Sequence, residues 1–354
     1  MKKRILYLLM LSVLLGGACS RQVIMTPSAD QMIIYPPPPD TARIQYLTSF
    51  SSPQDLIGRQ SSFKKFFFGE EEPRPIIKPF GITTHGSKIY ICDPGSGSIV
   101  IIDLVSKKSD HFSPSGLGQL KLPLSCAVDN QGFLYVADAN RKQIVVFNEH
   151  LKYVDAFGEL EDFRPTDVCV DGDRIWVANV KNHGIHVFDL NNYEPIRTIP
   201  ALDPGEEGFL AQPTHLYVAH GTLYVTDFGS FKIKKYDLEG RFLGIVGSYG
   251  EKPGQLARPK GIAVDHDAKL YVVDAAFENT QIFNPAGQIL MFFGGPYTNK
   301  GDMYLPADVA IDYLNTEYFK PYVNPQFDLE YLIFVTSQYG PDKVNVYGFI
   351  KYPQ

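Results

Sequence analysis

The sequence predicts an all-β chain folded as a six-bladed β-propeller, because one strand pattern occurs six times at nearly equal spacing. The copies lie 44, 42, 48, 46 and 47 residues apart, the length of one propeller blade. Each copy opens on a proline: Pro79, Pro123, Pro165, Pro213, Pro259 and Pro306. Apolar residues two positions apart follow, such as Cys126 and Val128, and predict the first strand of a hairpin. One four-stranded sheet cannot bury both of its faces, whereas sheets stacked in a closed ring can.

The second strand of each copy is marked by residue type. It opens on an aromatic residue and ends three residues later on a small polar one. The polar ends are Asp93, Asp138, Asn179, Asp227 and Asp274. Such side chains close turns by bonding to the backbone, and their recurrence indicates that they build the fold. Fourth strands follow at Tyr153 to Gly158, Phe242 to Gly247 and Ile289 to Gly294.

Three phrases of the chain resemble the NHL repeat, whose members form six-bladed β-propellers. They are LYVADANRKQIVVF at Leu134 to Phe147, KGIAVD at Lys260 to Asp265 and LYVVD at Leu270 to Asp274. The resemblance covers about Pro79 to Tyr347. Blade six departs from the pattern, since an insertion follows Asp312 and Ser337 stands where the other blades have Asp or Asn.

The two ends of the repeat region are incomplete in complementary ways. Arg43 to Ser51, RIQYLTSFS, resembles a fourth strand although it precedes the first full repeat. Blade six runs out of chain after its third strand, Lys343 to Ile350. We therefore expect residues 43–51 to complete the C-terminal blade, because otherwise both termini would leave an exposed sheet edge.

The N-terminus reads as an export signal. Met1 to Ala18 combines three basic residues, an apolar core and small residues before Cys19. A transmembrane anchor is the alternative, but the apolar run is short for spanning hydrocarbon. The end of this segment resembles a bacterial lipobox, which implies that Cys19 carries the lipid of a membrane-anchored lipoprotein. Ser20 after the cysteine implies the outer membrane, by resemblance to the sorting pattern of Gram-negative lipoproteins.

Two segments outside the repeats are predicted to be linkers. Residues 19–42 hold four consecutive prolines and read as a stiff tether, with a docking ligand as the alternative. Residues 52–78 contain a predicted short helix, Asp55 to Phe68, whose phenylalanines pack on the propeller or form an exposed aromatic patch.

Composition excludes several functions. The formal net charge is -6, and removing the signal leaves 30 basic against 39 acidic residues, or -9, so nucleic acid is not an expected partner. No CxxCH motif occurs, so no haem attachment is expected, and GxSxG, HExxH and P-loop motifs are absent from the sequence. Cys92, Cys126 and Cys169 read as buried small side chains, with a Cys126 to Cys169 disulfide as the alternative.

The mouth of the central channel is the place where ligand groups are expected. The residue two past each repeat proline is expected near this mouth. Asp167, His215 and Asp308 are therefore candidate ligands for Ca or Zn or for a polar molecule. The alternative is that these polar groups satisfy backbone donors. PTDVCVD at Pro165 to Asp171 resembles an NHL-like amidating lyase, but the three metal-binding histidines of that enzyme are not reproduced. No cofactor is therefore predicted.

Loops between second and third strands mix aromatic with basic character, which is typical of a protein or polymer contact. The surface-binding candidates are Arg141, Lys142, His183, Phe231, Lys232 and Phe277. The blade-six insertion, residues 313–330, is expected on the opposite face, where it plugs the channel or covers a blade edge.

The sequence supports two functions, of which the first is favoured. One is a non-enzymatic, lipid-anchored propeller that binds an envelope protein or extracellular polymer. The other is a metal-dependent envelope lyase or hydrolase with its site at the channel mouth.

Overall fold

The computed structural model describes residues 32–58, 74–158 and 161–353, and it forms a ring of six antiparallel sheets. The strands before the first repeat are β1 (Ile34–Tyr35) and β2 (Ile44–Phe50). Blade one has β3 (Ile82–His85), β4 (Lys88–Asp93), β5 (Ser98–Asp103) and β6 (Lys108–Phe112). Blade two has β7 (Pro123–Val128), β8 (Leu134–Asp138), β9 (Gln143–Phe147) and β10 (Tyr153–Phe157). Blade three has β11 (Pro165–Asp171), β12 (Arg174–Asn179), β13 (Gly184–Asp189) and β14 (Pro195–Ile199).

The second half of the ring repeats the same arrangement. Blade four has β15 (Pro213–Ala219), β16 (Thr222–Asp227), β17 (Lys232–Asp237) and β18 (Phe242–Val246). Blade five has β19 (Pro259–Val264), β20 (Leu270–Asp274), β21 (Asn279–Phe283) and β22 (Ile289–Gly294). Blade six has β23 (Pro306–Asp312), β24 (Asp328–Ser337) and β25 (Val344–Lys351). The predicted all-β, six-bladed fold is confirmed.

The ring is closed by the N-terminal strand. β2 pairs antiparallel with β25, with Tyr46 opposite Tyr347 and Phe50 opposite Val344, and so completes blade six as the sequence predicted. β1 then adds a fifth strand outside β2. The prediction of a tether as far as residue 42 is therefore wrong at two places in its described part, because Ile34 and Tyr35 pair with β2 and Ala42 is buried. The signal segment and Cys19 lie outside the described residues.

The core consists of six apolar clusters, one between each pair of neighbouring blades. Trp176 of blade three, for example, is fully buried with Leu216 and Val218 of blade four. The largest cluster joins blade six to blade one and also takes in Leu47 and Phe50 of the closing strand. Because each cluster needs two blades, the apolar core is complete only in the closed ring.

Two short helices cover the seam between blades six and one. α1 (Pro53–Ile57) follows the closing strand, and α2 (Thr316–Phe319) lies in the blade-six insertion. The Tyr318 hydroxyl donates to the Leu56 carbonyl at 2.7 Å, and Phe319 is buried in the seam cluster. The insertion thus covers a blade edge, one of the two roles expected of it. The predicted helix from Asp55 to Phe68 is wrong in its bounds, since α1 begins at Pro53 and ends at Ile57. Residues 59–73 lie outside the residues that the structure describes.

Each blade is held by the polar residue at the end of its second strand. In blade two the carboxylate of Asp138 is fully buried and accepts four backbone N–H groups. Two come from its own turn, Asn140 and Arg141, and two from Lys121 and Leu122, which lead the chain into the first strand. The side chain therefore ties the entry of the blade to the loop after its second strand.

The same tie occurs in the other blades. Asp93 accepts from Ile77 and Lys78, and Asp274 accepts from Ala257 and Arg258. In blade six, where Ser337 replaces the carboxylate, its hydroxyl still accepts the N–H of Tyr304 at 3.3 Å. Serine in place of Asp or Asn therefore keeps one bond to the chain that enters the blade.

Replacing Asp138 with alanine is expected to lower the free energy of unfolding by roughly 3–5 kcal/mol, because four buried or half-buried N–H groups lose their acceptor. Asp138→Asn should lose only about 1 kcal/mol, since Asn179 fills the equivalent place in blade three. Urea unfolding followed by circular dichroism measures both. An alanine variant within about 0.5 kcal/mol of wild type would contradict the structural role of this group.

Candidate functional site

The six first strands line a central channel that contains a cavity of about 230 Å³. Asp167 of β11 and Asp308 of β23 both border it, as the sequence predicted. Asp167 accepts the N–H of Leu216 in blade four at 2.8 Å and a hydrogen bond from the Ser125 hydroxyl in blade two. Asp308 accepts the N–H of Ile82 in blade one at 2.9 Å. Each carboxylate therefore joins its own blade to the next one around the ring.

Burial changes the protonation of both carboxyl groups. It raises the pKa of Asp167 to about 6 against the opposing effect of the bonds from Ser125 and Leu216. Burial, followed by repulsion from Asp167, raises the pKa of Asp308 well above its ordinary value. The channel is therefore an environment that disfavours two negative charges.

The third channel-mouth candidate, His215, lies in a different environment. Its ring stacks on Phe80 of blade one, with ring centres 5.7 Å apart and planes 11° from parallel. Nδ1 lies 3.1 Å from the Thr214 hydroxyl, and Nε2 is buried with no hydrogen-bond partner among the described residues. Burial, followed by the charge of Lys260, lowers the pKa of His215 to about 3, so its imidazole is neutral.

Phe80 and Lys260 complete the mouth and were missed by the sequence analysis. The ammonium of Lys260 lies 5.1 Å from the centre of the Phe80 ring, and burial lowers the pKa of this lysine to about 8. Threonine hydroxyls of the preceding blades fix both main chains, Thr336 bonding Phe80 and Thr226 bonding Lys260. Both residues directly follow a repeat proline, which is the one signal in the sequence that could have singled them out.

The predicted ligand set is not assembled as a metal centre in the part of the chain that the structure describes. No three His, Cys, Asp or Glu side chains are grouped there as metal ligands. Asp167 and Asp308 face the channel, while His215 is covered by Phe80. The carboxylates instead serve the backbone donors that the sequence analysis gave as the alternative.

Two of the surface-binding candidates use their polar side-chain atoms in bonds within the protein itself. The guanidinium of Arg141 bonds Gln143 and the carbonyls of Leu117 and Gln119, so it braces a turn of the protein itself. Nδ1 of His183 lies 2.7 Å from the Ala211 carbonyl.

The other candidates keep free polar or aromatic surface. Phe231 packs its ring 4.8 Å from that of Tyr249, whose side chain is 68% exposed. Lys232 and Phe277 are half-buried, and Lys142 is exposed. The face that carries these loops therefore mixes cations with accessible aromatic rings.

Cysteine chemistry is not part of this face. Cys92, Cys126 and Cys169 are all free thiols, so the alternative of a Cys126 to Cys169 disulfide is not realised. Burial raises the pKa of Cys92 and Cys169, which keeps them protonated and unreactive.

Comparisons with known proteins agree with this architecture. The sequence model of the NHL repeat matches residues 164–188, which span β11 to β13 of blade three. The chain thus carries one segment that matches the NHL repeat, in blade three of a six-bladed β-propeller. No curated protein sequence matches it significantly.

Several solved structures share the fold. Virginiamycin B lyase from Staphylococcus aureus is 14% identical with a TM-score of 0.54, over 77% of this chain and 82% of that chain. A gluconolactonase from Xanthomonas campestris is 15% identical with a TM-score of 0.55, over 88% and 90% of the two chains. A protein of unknown function from Bacteroides thetaiotaomicron is 13% identical with a TM-score of 0.60, over 87% and 76%. Likeness at such identities establishes the fold alone.

The raised pKa of Asp167 predicts a pH-dependent stability. A carboxyl group whose pKa is higher in the folded than in the unfolded state contributes most below the unfolded value, near 4, and loses that contribution as pH rises toward 6. Relative to Asp167→Asn, the wild type should therefore lose roughly 2–3 kcal/mol of unfolding free energy between pH 4 and 7. Urea unfolding at several pH values measures the difference. Parallel pH profiles for the two proteins would show that Asp167 is not perturbed.

Proposed function

We propose that this protein is a lipid-anchored propeller of the bacterial cell envelope that binds a protein or polymer partner and catalyses no reaction. The proposal rests on a difference between the channel and the loop face of the ring. The channel carboxylates are engaged by backbone N–H groups of neighbouring blades, whereas the loop face offers accessible cations and aromatic rings. Such a face suits recognition more than catalysis.

The anchor follows from the sequence of residues 1–19, and the serine after Cys19 favours the outer membrane. β1 begins at Ile34, fifteen residues after Cys19. An extended chain of that length reaches about 50 Å, so the ring stays within that distance of the bilayer surface. No helix among the described residues is long and apolar enough to cross a membrane.

The alternative function is that of a metal-dependent lyase or hydrolase acting at the channel mouth. It is favoured by the unpartnered Nε2 of buried His215 and the lowered pKa of Lys260 beside it. Perturbed titratable groups in a cleft are a feature of active sites. The lyase and the gluconolactonase that share the fold are enzymes, at identities too low to transfer an activity.

Two measurements distinguish the functions: elemental analysis of the purified full-length protein, and cross-linking of the protein in intact cells. We expect elemental analysis to find no stoichiometric zinc or calcium, and cross-linking in intact cells to retrieve a specific envelope component. A bound metal that is lost in Asp167→Ala, His215→Ala or Asp308→Ala would support the enzyme instead. Asp103→Ala, on the opposite face, is the matched control, since its loss should affect neither metal content nor cross-linking.

Cys19→Ala is expected to abolish incorporation of a labelled fatty acid and to move the protein from the membrane to the soluble fraction, because the acyl chains would supply the membrane affinity. Ser20→Ala is the control and should remain lipidated. Membrane retention and fatty-acid labelling of Cys19→Ala at wild-type levels would refute the anchor.

A further inference from the structure

A basic cleft opens between blades two and three on the loop face. It has a volume of about 390 Å³, and its charged lining residues are Lys142, Arg164, Lys181 and Glu161. Three cations thus meet one carboxylate in a protein whose formal net charge is -6. None of the three cations forms an ion pair with a carboxylate among the described residues, and Lys142 Nζ bonds only the main-chain carbonyl of Glu161, at 3.2 Å. The cleft is therefore a local positive site on an acidic protein.

The three cations are positioned by the polar ties of the fold. The side-chain oxygen of Asn179 accepts the N–H groups of both Arg164 and Lys181, at 2.9 and 3.1 Å. Lys142 ends the turn that Asp138 closes. Cations whose backbones are already fixed lose less freedom when an anion binds, which favours affinity.

The backbone at Lys142 makes a substitution of this side chain easy to interpret. Its φ is +58°, in the left-handed region where a side chain carries a steric penalty that glycine avoids. Blade one places Gly97 at the equivalent position, four residues past its polar tie. Glycine in place of Lys142 would therefore remove the ammonium group without adding backbone strain.

An aromatic track lies on the same loop face and begins at His183, two residues past Lys181 of the cleft. His183 of blade three lies 5.7 Å from Phe209, and Phe231 of blade four lies 4.8 Å from the exposed Tyr249. Cations in blades two and three are thus followed by ring faces in blades three and four. Aromatic faces carry negative charge density and attract the C–H groups of a sugar ring.

The geometry points to an anionic polysaccharide as the ligand, its carboxylates in the basic cleft and its sugar rings on the aromatic track. This inference rests on the proposed binding function and narrows its partner to one class. Arginine and lysine together match carboxylates, since the guanidinium binds them in a bidentate manner and the ammonium acts as a mobile point charge. A track across three blades suits an extended chain more than a single small anion.

The test measures binding of polygalacturonate to the full-length protein by isothermal titration calorimetry, with dextran as the uncharged polymer and polyglutamate as the acidic polypeptide. We expect polygalacturonate to bind at least tenfold more tightly than either. Lys142→Gly and Lys181→Ala should each weaken its binding about tenfold, the loss typical of a charged hydrogen bond. Lys142→Gly should also melt at the same temperature as wild type or higher, which separates lost binding from lost structure.

Two matched controls make the test specific. Lys107 also has a left-handed backbone, with φ of +52°, but it lies in the turn before β6 on the opposite face, so Lys107→Gly should leave binding unchanged. Tyr249→Ala should weaken polygalacturonate binding. Tyr352→Ala should not, since this tyrosine is also exposed, at 54% against 68%, but lies beside the blade-six insertion.

Three results would overturn the inference. They are wild-type binding by Lys142→Gly, equal losses in Lys107→Gly, and polyglutamate binding as tight as polygalacturonate, the last of which would identify an acidic polypeptide as the occupant. If no polymer binds while cross-linking still retrieves an envelope protein, the inference fails and the proposed scaffold function stands. If polygalacturonate binds but fatty-acid labelling shows no anchor at Cys19, the inference stands and the anchored scaffold fails.

Discussion

The bond between a buried Asx side chain and the backbone entering the same blade is the constraint on which this structure depends. Each inner strand packs between two neighbouring inner strands, so its height along the channel axis has to be fixed. Asp138 and its counterparts fix that height by accepting N–H groups from the entering segment and from the turn. In blades one to five the polar residue follows its repeat proline by 14 or 15 residues, so most of the variation in repeat length, from 42 to 48 residues, falls outside the tie.

This tie also explains why the loop face can vary. The residue four positions past the polar group adopts a left-handed backbone in blades one to five, and those residues are Gly97, Lys142, His183, Phe231 and Glu278. The Asx group closes the turn and so sets the left-handed backbone at this position, whichever residue occupies it. Five different side chains therefore occupy one geometry, and the ring presents a different chemistry at each blade. A fold held this way separates the groups that maintain it from the groups that face a ligand.

The sequence predicted what depends on local periodicity and missed what depends on packing across the ring. Six blades and the closing strand followed from patterns repeated within each blade, and β2 pairs with β25 as expected. β1 has only two residues, too few to show a strand period. The stacking of Phe80 on His215 joins blades one and four, and the commitment of Arg141 to Leu117 and Gln119 depends on a turn absent from the other copies. Contacts of this kind have no signature in a single repeat.

The channel and the loop face of the ring differ in their electrostatics. Asp167 and Asp308 disfavour further negative charge in the channel, so the proposed anionic ligand would favour the basic cleft at the rim over the channel. On a protein of net negative charge, a small group of cations attracts anions over a short range, about 8 Å at physiological ionic strength. A polyanion that meets another part of the acidic surface would gain no such attraction. If the proposed ligand is correct, net acidity and a local basic site would together confine its binding to the cleft, which a uniformly basic surface would not do.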